Sequence, residues 1–142
     1  ILSGFYGILK PFDGVVPYRL EMQAPINLNG YKDLYEFWGD SLFKELYKDT
    51  DIVLNLASKE YSKCIENYLN AKVQFFSCTF GEYKDGKVIT KGTLAKMARG
   101  EMVRYMAENN VKKISEIKNF NRLGYKYSEE KSNNMNLVFI KE

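Results

Sequence analysis

The stretch Asp51-Ile52-Val53-Leu54-Asn55-Leu56-Ala57 is nearly continuous in apolar residues, and its length suits a strand covered on both faces. Such a strand needs partners, and the flanking sequence offers them. Upstream, Leu34, Trp38, Leu42 and Leu46 recur every four positions between Tyr31 and Tyr47, with Phe37 filling the stripe, which predicts an amphipathic helix. Gly39 interrupts it at a cost of about 1 kcal/mol relative to alanine, and a glycine there predicts a close neighbour. Downstream, Ser58 is placed to cap a short helix containing Glu60 and Glu66. Lys72 to Phe80 then reads as a strand, and Asp85-Gly86 turns it back into Lys87-Val88-Ile89-Thr90 as a hairpin.

A second long helix is predicted from Thr93 to Asn109, capped by Thr93 and burying Leu94, Ala98, Met102, Tyr105 and Met106. After a short helix near Ser115 to Asn119, the tail alternates through Leu123, Tyr125 and Tyr127 and ends in the strand-like run Asn136 to Ile140. The opening, Ser3 to Met22, is broken into short extended pieces by Gly4, Gly7, Pro11, Gly14 and Pro17. The expected fold is α+β: one mixed-sheet domain spanning residues 1–142, with Ile52 to Leu56 central, two long amphipathic helices on the sheet and a β-hairpin.

Composition narrows the chemistry. The chain is 45% hydrophobic and 27% charged, within the range of a globular domain, and its net charge of +3 requires any basic surface to be local. No apolar run approaches the length that spans a bilayer, so no membrane partner is expected. There is no histidine, which removes the commonest general base and transition-metal ligand. No metal site or cofactor is expected, although a carboxylate magnesium site stays open. Cys64 and Cys78 fit a reducing compartment and read as buried thiols, against the alternative of a redox pair.

Five clusters set glycine, charge or amide groups inside apolar stretches: Ser3-Gly4-Phe5-Tyr6-Gly7, Pro17 to Met22, Phe37-Trp38-Gly39-Asp40, Asn55-Leu56-Ala57-Ser58 followed by Tyr61, and Lys96-Met97-Ala98-Arg99-Gly100. With Leu-Lys-Pro-x-Asp at Leu9 to Asp13, Gly124-Tyr125 and Leu137-Val138-Phe139, their order and spacing resemble the YaaA family of bacterial peroxide-stress proteins over essentially the whole chain. Two positions depart from the family pattern. Lys10 stands where the family often has arginine, and Met97 replaces a lysine, so a phosphate role at position 97 does not carry over. The resemblance implies the C-terminal portion of a longer cytoplasmic protein whose suggested helix-hairpin-helix DNA-binding element lies outside these residues. It also implies a role in the peroxide response, through DNA association or control of reactive iron.

The residues by themselves leave alternatives open. About 100° per residue puts Lys96, Arg99, Gly100, Val103 and Arg104 within a sector of roughly 140° opposite the apolar face, where two arginines beside a glycine offer phosphate a close approach. A solvated helix face predicts the same pattern. Asn55 needs partners if buried, and Ser58 and Tyr61 follow the strand at the place where α/β sheets hold ligands, or they satisfy turn backbone only. Arg19, Glu21 and Asp40 read as a proton-transfer set or as structural ion pairs.

With Ser3 and Tyr6, these are the candidate ligand or phosphate contacts, and Arg19, Glu21, Asp40, Asn55 and Arg99 are expected to share one concavity. The partner is either double-stranded DNA, bound weakly, or a small phosphorylated or nucleotide ligand. No familiar catalytic signature occurs: Gly-x-Ser-x-Gly, a phosphate-binding Gly-x-x-x-x-Gly-Lys loop and Gly-x-Gly-x-x-Gly are all absent.

Overall fold

The computed structural model describes residues 1–141 and has the α+β content expected. Its contacts gather into two compact units, one of residues Ile1–Ile52 and Ala57–Val73, the other of Val53–Leu56 and the chain from Gln74 onward.

The first unit opens with two short antiparallel strands, β1 (Leu2–Ser3) and β2 (Gly7–Ile8). A second ribbon follows, β3 (Pro25–Leu28) against β4 (Tyr31–Asp33). The predicted Tyr31–Tyr47 helix is two helices, α1 (Leu34–Trp38) and α2 (Ser41–Leu46). Asp33 starts α1 by accepting the Glu36 backbone N–H at 2.7 Å, and Gly39 ends it with φ of 50°. That dihedral, rather than crowding, explains the glycine, because an added Cβ would meet only the Glu36 carbonyl at 3.9 Å.

Helix α3 (Lys59–Glu66) packs with α1 and α2, and Met22, Leu34, Leu42, Cys64 and Ile65 form the buried interior. Ser58 does stand at its N-cap, but its hydroxyl makes no capping bond. Lys10 to Arg19, by contrast, is exposed throughout.

The second unit is a five-stranded mixed sheet in the order β5 (Ile52–Asn55), β6 (Gln74–Lys84), β9 (Asn136–Lys141), β8 (Tyr125–Tyr127), with β7 (Lys87–Ile89) hairpinned onto β6. Asp85 and Gly86 both have positive φ, the two-residue turn the sequence called for. Strands β6 and β9 run parallel, and the chain between them carries α4 (Gly92–Glu108) and α5 (Ile114–Ile117). Helix α4 starts a residue before Thr93, after Lys91, which is held instead by Glu82 at 2.7 Å.

Ile52–Asn55 ends the strand order instead of occupying its centre. The inner place belongs to β9, where Leu137, Val138 and Phe139 are all buried. Ala95, Ala98 and Met102 of α4 close over Phe80, Phe120, Tyr125 and Phe139, and Leu54 and Leu56 pack half-buried against that core.

Candidate functional site

In the first unit the early motif folds into a network of tyrosines around one serine. Ser3, buried, accepts the backbone N–H groups of Tyr6 at 2.9 Å and Phe5 at 3.2 Å, and its hydroxyl bonds that of Tyr18. The Tyr6 hydroxyl in turn accepts the Val16 N–H at 3.1 Å, and the rings of Phe5, Tyr6 and Tyr18 pack with centroids 4.9–5.5 Å apart. Trp38 joins from α1 by donating its indole N–H to the Gly4 carbonyl at 3.1 Å. Tyr61 approaches from α3: burial raises its pKa, as do the charges of Glu60 and Glu21 nearby, while the Met22 backbone amide works against them.

Of the predicted residues, Ser3, Tyr6, Glu21 and Tyr61 thus meet in this region, with Arg19 attached through Glu21. The Arg19–Glu21 pair, 3.2 Å apart, is open to water, with the Arg19 side chain 91% exposed. Backbone hydrogen bonding first, and Arg19 second, hold the Glu21 carboxyl below its ordinary value. A carboxylate fixed as an anion is unsuited to donating a proton near neutrality, so the pair reads as a surface ion pair. Asp40 instead pairs with Lys44 at 2.7 Å, one turn along α2. Ser58 starts α3 and adds no side-chain bond to the cap.

In the second unit Asn55 is half-buried and donates to the Ser77 hydroxyl at 3.3 Å, within the network that its place in an apolar strand demanded. The predicted cationic face of α4 divides in two. Arg104 is committed to Glu108 at 2.7 Å, and Arg122 also holds Glu108 at 2.5 Å and Glu101 at 3.4 Å. Arg104 and then Arg122 keep the Glu108 carboxyl below its usual value, so this corner is charge-matched.

Lys96 and Arg99 form no ion pair among the described residues. The Arg99 Nε donates to the Ala95 carbonyl at 3.2 Å, laying the side chain along its own helix. Gly100 beside them is exposed, and a Cβ there would meet nothing within 4 Å. This face can therefore receive an anion without breaking an existing pair.

The surroundings of both cysteines disfavour the thiolate. Burial pushes Cys64 up to about 11 and Cys78 up to about 12, and Cys64 donates its S–H to the Tyr61 carbonyl at 2.8 Å. Among the described residues no group of three or more Asp, Glu or Cys side chains is gathered to hold a metal, and no helix is long and apolar enough to cross a membrane.

Comparison with known proteins matches residues 1–131 to the family described as peroxide stress protein YaaA. A UPF0246 protein of Lachnoclostridium phytofermentans is 63% identical over 141 residues, covering 99% of this chain and 55% of its own length. One from Desulfitobacterium hafniense is 57% identical, covering 99% of this chain and 56% of its own, and one from Clostridioides difficile is 44% identical, covering 100% and 58%. The chain spans a little over half the length of these relatives. It belongs to the YaaA peroxide stress family.

Proposed function

We propose that this YaaA-family chain serves the peroxide response in the cytoplasm by holding double-stranded DNA through its phosphates, on the outer face of α4. The carrying observation is the contrast along that face: Lys96 and Arg99 have no carboxylate partner among the described residues, whereas Arg104 is already matched by Glu108. A cation that must first leave a carboxylate gains less from a phosphate than one that starts in water. The face is a helix exterior beside an unobstructed glycine rather than an enclosed pocket, which favours a polyanion's backbone over a small phosphorylated ligand. Control of iron draws no comparable support, since no ligand cluster is present among the described residues.

Two free cations predict a log-log salt slope near −2, at about −0.9 per neutralised phosphate, with no sequence preference. Replacing Lys96 and Arg99 together by glutamine should flatten the slope by nearly two units, while Arg104→Gln should change it by less than one. Binding to a duplex at a series of salt concentrations measures both, and an unchanged slope in the double variant rejects the reading.

The thiols supply a separate expectation. A sensor that works by cysteine oxidation needs an accessible thiolate, and raised pKa values deny one at neutral pH. In the native chain at pH 7, alkylation of Cys64 and Cys78 should run at least about a hundredfold slower than in the unfolded chain, whose thiols return to their ordinary pKa near 8.5. Rates should rise only as pH climbs well past that ordinary value. Fast alkylation of either cysteine in the folded protein would instead make thiol chemistry part of the function.

A further inference from the structure

The second unit holds a cavity of about 360 Å³ that no part of the phosphate reading uses. Phe76 of β6, Leu137 of β9 and Ile114 of α5 give it an apolar lining, with Tyr127 of β8 beside them. Lys118 and Glu129 bring one charge of each sign to the same space. A volume of this size, apolar walls and a few placed polar groups are the features of a small-molecule site.

The wall that carries Glu129 is built before any ligand arrives. In the connection from β8 to β9, Ser132 donates its hydroxyl to the Ser128 carbonyl at 2.6 Å and accepts the Val138 N–H at 2.9 Å. The Ser132 N–H reaches the Glu129 carbonyl at 3.2 Å, and Asn133 accepts the N–H groups of Met135 at 3.0 Å and Asn136 at 2.8 Å on its side-chain oxygen. Such a self-bonded turn loses little freedom when something binds against it. Lys118 is placed by Tyr127, with its ammonium 4.8 Å from the ring centre. Hydrogen bonding to Tyr127 first, and to Glu129 second, holds the Lys118 pKa above its ordinary value, so the ammonium stays charged near neutrality.

Glu129 meets Lys118 at 3.3 Å through one oxygen, and its side chain is 81% exposed, so the pair is weak and easily parted. That charge balance selects the ligand. An anion alone must evict Glu129 from Lys118, and a cation alone must evict Lys118 from Glu129, so either exchange forms one pair and breaks another. A zwitterion inserted between them turns one ion pair into two. We infer that this cavity binds a free amino acid with an apolar side chain, its carboxylate on Lys118 and its ammonium on Glu129. The side chain covers Phe76, Ile114 and Leu137. The end of a peptide carries only one of the two charges beside its last side chain, and so makes only one of the two pairs.

Isothermal titration calorimetry of the whole chain with leucine, up to about 10 mM, should give a saturable single-site heat. N-acetyl-leucine lacks the ammonium, leucinamide the carboxylate and glycine the apolar contact, so each should bind at least about tenfold more weakly. Glu129→Gln and Lys118→Met should each weaken leucine binding about ten- to a hundredfold. Glu130→Gln should leave it unchanged, because that neighbouring carboxylate, also 81% exposed, pairs with Lys131.

Glu129 is exposed and outside the core, so its variant keeps the fold and decides the matter should Lys118→Met unfold the chain. Absence of saturable heat with leucine, a capped derivative or glycine binding as tightly as leucine, or Glu129→Gln matching the native chain would each overturn the inference.

Discussion

Replacing Phe139 by alanine is expected to cost about 3–5 kcal/mol of stability, the largest loss for any single side chain of the second unit. Phe139 is 0% exposed, and across the sheet it is paired with Phe80 on β6 and Tyr127 on β8. These register partners set three rings in a row perpendicular to the strands, with centroids 5.1 Å apart for Phe80–Phe139 and 5.7 Å for Tyr127–Phe139. Phe120 adds an edge-on contact at 5.7 Å from the connection that follows α5.

Truncation removes the shared member, so Phe80, Phe120 and Tyr127 each lose a face and the strand backbones cannot close the gap. Urea unfolding followed by far-ultraviolet circular dichroism tests this, with Met135→Ala, an exposed residue 47% accessible, as the neutral comparison. A loss under about 1 kcal/mol would mean that the ring row is not the centre of this core.

The same row shows what the sequence could and could not reveal. Asn136 to Ile140 is legible as a strand from its apolar run, as is Ile52 to Asn55, but apolarity does not rank one strand inside another. Which of them lies inside is fixed by the parallel β6–β9 register and the antiparallel β8–β9 register, both long-range choices. Helix α4 was legible in its apolar face and in the sector holding Lys96 and Arg99. The pairing of Arg104 with Glu108 lies one turn along the same helix, whereas the hold of Arg122 on that carboxylate, from fourteen positions further on, is not legible in sequence.

The β3–β4 ribbon was missed for a different reason. Asn29-Gly30 is a hairpin turn as clear as Asp85-Gly86, with φ of 52° and 90°, and it would have predicted β3 and β4. Even so, the register shift between Pro25 and Leu28 breaks the period-two pattern from which side-chain direction is read. The glycine motifs stand out in the sequence, but it does not say whether a glycine answers to a dihedral, as Gly39 does, to a neighbour, or, like Gly100, to neither.

Gly4 answers to a neighbour, and Gly4→Ala is the second large effect expected. A Cβ at this position would lie 2.6 Å from the Leu20 carbonyl oxygen and 3.4 Å from its carbon, and these are backbone atoms that cannot swing aside as a side-chain tip would. The added methyl must push the Leu20–Glu21 segment away or displace the turn that follows Ser3. Such overpacking costs about 1–3 kcal/mol, and disturbing the Trp38 bond to the Gly4 carbonyl adds about 1 kcal/mol. Gly14→Ala is the matched control, since nothing lies within 4 Å of a Cβ there and its backbone carries no positive φ. It should be neutral within about 0.5 kcal/mol. Chemical unfolding monitored by Trp38 emission reads both variants and also shows whether the indole has lost its partner, because an indole released to water shifts to longer wavelength. Should Gly4→Ala prove as harmless as Gly14→Ala, the contact between Gly4 and Leu20 would not be what requires the glycine.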